Sequence, residues 1–302
     1  MKIGILILAH NHLQQLRLLI ETLKPDFKIY LHIDKKCNIP ADDFASGPNI
    51  RVIKRYKVYW GSYYQIAASL DLFRMAYEDG CDYCMFISGN DFPIKANREI
   101  IAEIAESPLT NYLDYGLLPR KRWPLKGGFD RMQLYWENLN NPKNISLLNR
   151  FCGFSRMIQK GLHLRRKLLP DITYYGGVNW ANLSRETVGY VLSYIDEHPE
   201  FLQAFHHTRT ADEIWLQTIV LNSPYRDKTV KDSKRYADWC KGPEFPRTLR
   251  IDNYDDIVQS DAFFARKFDV RIDAGILEKI RLYQQERTRL YVLKIKPDEL
   301  PC

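Results

Sequence analysis

Residues 2–34 switch between two hydrophobic rhythms that only one class of fold reconciles. "KIGILILAH" is a continuous apolar run, the pattern of a strand buried on both faces. "NHLQQLRLLIETLK" then sets Leu13, Leu16, Ile20 and Leu23 on one helical face, with Asn11 placed as N-cap. "KIYLHID" returns to the continuous pattern. A buried strand, a helix and a second buried strand imply a right-handed parallel crossover. "NIRVIK" reads as a further strand, "SYYQIAASLDLFRMAYEDG" as a helix closing at Gly80, and "YCMFISGND" as a central strand. The fold class expected is α/β, with a mixed, mostly parallel central sheet flanked by helices. Residues 1–302 are expected to form one domain, with a nucleotide-binding half over 1–110 and an acceptor and catalytic half over 111–302.

Ligands of such sheets gather beyond the carboxyl ends of the strands. Three polar tips emerge there: His10-Asn11, Asp34-Lys35-Lys36 and Asn90-Asp91. Neither a Gly-x-Gly-x-x-Gly fingerprint nor a Walker loop occurs, which disfavours a dinucleotide dehydrogenase and a P-loop kinase. No run approaches the roughly 18 apolar residues of a membrane span. The apolar start "MKIGILILAH" lacks a cleavage site and reads as a strand, so a cytoplasmic protein is expected. Cys81-x-x-Cys84 has no second pair at zinc spacing, and core packing is its expected role.

Net charge is +7, but residues 119–170 alone hold twelve Lys/Arg against two acidic residues. That concentration implies an anionic partner (a nucleotide diphosphate, an acidic glycan or a membrane surface) or else a solvated basic face. Within it, residues 149–170 mix Phe151, Phe154, Met157, Ile158, Leu162, Leu168 and Leu169 with basic residues. Peripheral contact with an anionic inner-membrane face is one expectation. The other is that these apolar residues are core and the charges solvated. No nucleic-acid partner is expected.

After residue 110 the rhythm loosens. "YYGGVNWANLSRE" leads into a helix from Ser184, and "TRTADEIWLQTIVLN" reads as another helix whose Thr210-x-x-Glu213 forms a capping box. Glu213 and its neighbour Asp212 are both candidates for a base that takes a proton from a hydroxyl. Gly177, Asn179 and Trp180 lie in a glycine-rich loop and offer the aromatic and amide groups a sugar-binding site needs, although Trp180 equally suits a core.

"LHIDKK", "VYWGSYYQIAASL", "SGNDFPIK", "YYGGVNWANLSRE", "TADEIWLQTI" and "FFARKFD" occur in that order. The series resembles the branching N-acetylglucosaminyltransferases and peptide O-xylosyltransferases of glycosyltransferase family fourteen, from His10 to about residue 269. The resemblance implies a GT-A-like fold without a two-aspartate metal site, a UDP-sugar donor and no metal cofactor. It also implies inversion at the anomeric carbon and a sugar or protein hydroxyl as acceptor; with the cytoplasmic setting expected above, a glycan or lipid-linked hydroxyl is the acceptor expected. By residue, it implies Glu213 as base, with Lys267 and Arg247 meeting the leaving diphosphate; Arg250, three residues on, is the alternative donor contact. It implies Asp34 at the nucleotide base and Trp239 near the acceptor. From their positions, His10 (or else a core histidine) and Asp91 (or else a cap of the Phe92-Pro93 turn) are read beside the donor, and Asp212 near the acceptor. A bacterial enzyme of polysaccharide synthesis is the setting this suggests.

Overall fold

The computed structural model describes residues 1–44, 47–136, 146–240, 242 and 246–295. Its strands are β1 (Ile3–Ala9), β2 (Lys28–Ile33), β3 (Ile50–Ile53), β4 (Tyr83–Ser88), β5 (Asp91–Pro93), β6 (Asn111–Leu113), β7 (Gly116–Leu117), β8 (Tyr175–Gly176), β9 (Ala181–Ser184), β10 (Thr229–Val230), β11 (Arg235–Ala237) and β12 (Phe264–Arg266). Seven of them form one sheet in the order β10-β6-β9-β4-β1-β2-β3. Six share a direction; β9 runs against both its neighbours. The expected mixed, mostly parallel sheet flanked by helices is thus present.

The period of two along β1 and β4 explains the layering. Leu6, Cys84 and Phe86 face one core. It is shared with helix α2 (Tyr63–Glu78) and the helices Arg185–Glu197 and Trp215–Leu221. Ile5, Ile7, Tyr83, Met85 and Ile87 face the other core. There they meet α1 (Leu13–Leu23), α3 (Asn97–Glu106) and the helix Gly275–Ile295. Both faces being covered is why these strands read as unbroken apolar runs. Each fully buried Ile or Leu contributes on the order of 1.5–3 kcal/mol. Cys81 and Cys84 are free and buried in this packing.

One local expectation changes. The N-cap of α1 is His12, at φ 56°, not Asn11, and no side chain caps it. Ser184 does cap its helix, its side chain accepting from the Thr187 amide. The helix Gly275–Ile295 was not anticipated.

Parallel pairing of β1 with β2 and β4 brings their carboxyl ends to one sheet edge. The Asp34 amide donates to the Ala9 carbonyl at 2.8 Å, and the Gly89 amide to Leu8 at 2.9 Å. His10, Asp34 and Asn90-Asp91 therefore emerge side by side. A second sheet, β11-β12-β5, builds on the Asp91 tip.

Candidate active site

β12 pairs antiparallel with β5, and Arg266 stands opposite Asp91. The Asp91 carboxylate is fully buried. It accepts from the Ser88 amide and hydroxyl, each at 2.9 Å, and Arg266 Nε lies 3.3 Å away. The Arg266 guanidinium stacks over the Trp180 ring at 4.3 Å. Asp91 thus holds an arginine in place rather than presenting a free carboxylate to a ligand.

Arg266 and Trp180 line a cavity of about 690 Å³ together with Glu213, Gly177, Arg235, Trp123 and Trp239. Six cationic side chains border it: Arg120, Lys121, Arg122, Lys231, Arg235 and Arg266. Among the described residues, three acidic ones do so: Asp114, Glu213 and Asp232. Such a lining favours an anionic occupant. Arg235 donates to the Phe86 carbonyl at 3.1 Å and to Asn182 Oδ1 at 2.9 Å. Burial pulls its guanidinium down to about 10, with Asp91 opposing the change.

Glu213 is not in a capping box. The Thr210 amide already donates to the Gly61 carbonyl, and Thr210 sits at φ 49° with its hydroxyl turned to the Arg209 carbonyl. Residues 211–213 form a short 3-10 turn before the helix Trp215–Leu221. The Glu213 carboxylate is released to Arg131, whose Nη1 donates to Oε2 at 2.6 Å. Arg131 in turn stacks on Trp123 at 3.9 Å. Beside it Asp212 is buried, accepts from Gln65 Nε2 at 2.9 Å and leaves Oδ1 without a partner. Burial, then the charge of Glu213, pushes the Asp212 carboxyl up to about 8.

Gly177 packs by backbone. A Cβ there would fall 1.8 Å from the Asp114 carbonyl oxygen. At Gly176 a Cβ would meet the Trp123 ring at 2.6 Å. The Gly177 amide donates to the Glu213 carbonyl at 2.9 Å, so the glycine pair fixes the Glu213 backbone against Trp123. Asn179 is buried with neither side-chain polar atom partnered.

The other residues singled out lie elsewhere. Asp34 accepts from the Lys36 and Val58 amides at 2.9 and 3.3 Å and pairs with Lys36 Nζ at 2.9 Å. A nucleotide base would share that carboxylate with these donors. His10 is exposed at the end of β1. Arg247 pairs with Asp252 at 2.8 Å and lies 3.9 Å from Asp238. The Leu249 amide bonds the Lys267 carbonyl at 2.9 Å, which brings the two basic segments together. Neither Arg247 nor Lys267 lines the Glu213 cavity; Arg266, one residue before Lys267, does. Arg250 is exposed and bonds Asn253 through its amide.

Sequence reading missed Arg131, Arg235 and Arg266. For Arg266 a signal existed: in "FFARKFD" the strand period puts Phe264 and Arg266 on one face. Among the described residues, no group of three or more His, Cys, Asp or Glu is arranged to hold a metal ion.

The sequence profile of the core-2/I-branching enzymes matches residues 3–261. The chain belongs to that family. A Drosophila melanogaster relative, xylosyltransferase oxt, is 25% identical over 312 residues, covering 90% of this chain and 32% of that protein. Human xylosyltransferase 1 is 23% identical over 286 residues, covering 85% of this chain and 27% of that one. This core-2/I-branching family member therefore spans about a third of the length of those relatives. Among solved structures, one described as mannose-1-phosphate geranyltransferase from Thermus thermophilus overlays at a TM-score of 0.34 and 14% identity. It covers 74% of this chain and 69% of that one, a likeness that carries no functional argument.

Proposed function

We propose that the chain is an inverting glycosyltransferase that moves a sugar from a UDP-sugar to a hydroxyl of a glycan or lipid-linked acceptor, without a metal. The nucleotide lies across the strand ends at His10 and Asp34, and the acceptor enters the Glu213 cavity. Glu213 takes the proton of the acceptor hydroxyl as its oxygen attacks the anomeric carbon from the side opposite the diphosphate. The bond to the diphosphate breaks in the same step, and UDP leaves with the bonding pair. Fixed cations meet the developing charge. Arg247 and Lys267 are assigned to it, with Arg266 adjacent.

The observation that carries this reading is the Glu213 carboxylate, oriented by Arg131 in a cavity bordered mainly by cations. Metal independence is supported by Asp91, whose carboxylate is already engaged by Ser88 and Arg266. The test is a transfer assay over UDP-xylose, UDP-N-acetylglucosamine and other UDP-sugars, run with excess EDTA and again with added manganese. Turnover that persists under EDTA is expected. Complete loss restored by manganese rejects the metal-free mechanism, and no turnover with any UDP-sugar rejects the donor class.

A further inference from the structure

The helix Ser146–Gly161 is built inside out. Its residues 154, 157, 158 and 162 (the last just past its end) follow the i, i+3, i+4, i+8 spacing of one apolar stripe. That stripe faces solvent: Phe154 is 55% exposed, Met157 62%, Ile158 41% and Leu162 66%, and Leu164 continues it at 54%. The polar side faces the protein. Gln159 is buried, accepts from the Tyr135 amide at 2.8 Å and donates to the Tyr135 carbonyl at 3.2 Å; Arg156 stacks on Trp136 at 4.6 Å.

The expectation that the apolar residues of 149–170 are core and the charges solvated is not met as it stood. The apolar residues described at 154–164 are not core, and only Leu168 and Leu169 pack against it. Several of the charges are not simply solvated: besides Arg156 on Trp136, Lys160 lies 3.4 Å from Asp130. Arg165 pairs with buried Asp130 at 2.8 Å, and Arg166 bonds the Ala204 carbonyl and Thr208. The side chain of Phe151 lies outside the described residues.

We propose that this ridge docks the protein on an anionic bilayer surface. Phe154, Met157, Ile158, Leu162 and Leu164 enter the interfacial layer, while Lys160 and Lys167 meet lipid phosphates. An apolar stripe flanked by lysines is the composition of an interfacial helix. Residues 146–170 contain no Asp or Glu to repel an anionic surface. Contact is peripheral, because no helix among the described residues is long and apolar enough to cross a membrane. The ridge is joined to the active-site cavity: Lys160 and Arg165 both reach Asp130, and the next residue, Arg131, holds Glu213.

The test is vesicle sedimentation of the full chain, which reads binding independently of catalysis. Phosphatidylcholine vesicles with and without phosphatidylglycerol are compared at low and high salt. Binding is expected only with the anionic lipid, weakened by salt. The triple variant Phe154→Ser, Met157→Ser, Leu162→Ser lowers the bound fraction about tenfold or more at an unchanged melting temperature. Lys160→Gln with Lys167→Gln reduces the salt-sensitive part. Four results overturn the proposal: no binding to anionic vesicles; equal binding to neutral ones; a triple variant that binds like wild type; or a triple variant that melts well below it, which means the chain itself covers the stripe. A wild-type dimer that the triple variant dissociates overturns it too, assigning the ridge to a second copy.

Discussion

Arg131 reaches Glu213 at 2.6 Å from the face of Trp123, across 82 residues of sequence. A planar guanidinium clamped on an indole has few ways to move, so the carboxylate it holds is aimed as well as charged.

If Glu213 is the base, Glu213→Gln lowers turnover by about 10²-fold or more. The amide oxygen still accepts from Arg131, so the melting temperature holds. Initial rates and thermal melts on the same sample decide this. Near-normal turnover in a folded variant leaves Glu213 with only its link to Arg131.

In the proposed mechanism Arg131, which bonds Glu213 and stacks on Trp123, acts through Glu213 as a positioning residue. Arg131→Gln is expected to reduce kcat by up to about 10²-fold, the cost of misplacing a reacting group. The donor KM should stay near wild type, and Arg131→Lys should recover part of the loss. A change confined to KM would instead mean that Arg131 binds substrate.

Asp212 makes stability depend on pH in an unusual direction. Its folded value is raised to about 8, whereas an unfolded Asp titrates near about 3.9. Across that window the folded chain keeps a proton that the unfolded chain has released. Stability contributed by Asp212 is therefore full at low pH and is lost as pH rises through 8. Asp212→Asn has no proton to lose. Its melting temperature should match wild type at low pH and exceed it above pH 8. Parallel melting profiles for the two proteins would refute this assignment.

Asp91→Asn keeps the Ser88 amide bond through its single oxygen, requires the Ser88 hydroxyl to accept instead of donate, and removes the counter-charge of Arg266. A loss of about 2 kcal/mol in chemical denaturation is expected. It is smaller than the about 3–5 kcal/mol of a fully buried pair, because Arg266 is partly exposed. An unchanged midpoint would show that the pair contributes nothing.

Gly177→Ala must move the Asp114 backbone, since the added carbon falls 1.8 Å from its carbonyl oxygen. A cost of about 2 kcal/mol or more follows, with loss of activity because the Glu213 carbonyl is bonded to the same residue. A variant with wild-type melting and turnover would contradict the close packing.

The strands β1, β2 and β4 and the helices α1 and α2 were legible because each announces itself within ten or twenty residues. Burial on both faces writes an unbroken apolar run, and a half-buried helix writes a stripe. What escaped depends on partners distant in sequence. Arg266 meets Asp91 only because β12 pairs with β5, 175 residues away. Nothing local distinguishes Arg131 from the other basic residues of its segment; its contact with Trp123 and Glu213 does. Thr210-x-x-Glu213 has the letters of a capping box, but a hydrogen bond from Thr210 to Gly61 takes the amide that the box requires. In residues 154–164 the apolar content was legible, but neither the helix nor the direction of its apolar face was, because composition carries no information about which side a protein covers.

β9 has a consequence for how the molecule comes apart. It bonds β4 on one side and β6 on the other, stitching strands from before residue 110 to strands from after it. A fragment ending near residue 110 would leave β4, six residues buried throughout, as a raw edge with unpaired amides and carbonyls. Such edges recruit other chains. Truncation at that point should give aggregate rather than a smaller folded protein, and denaturation of the whole should be one cooperative event, with the strands on both sides of β9 lost together.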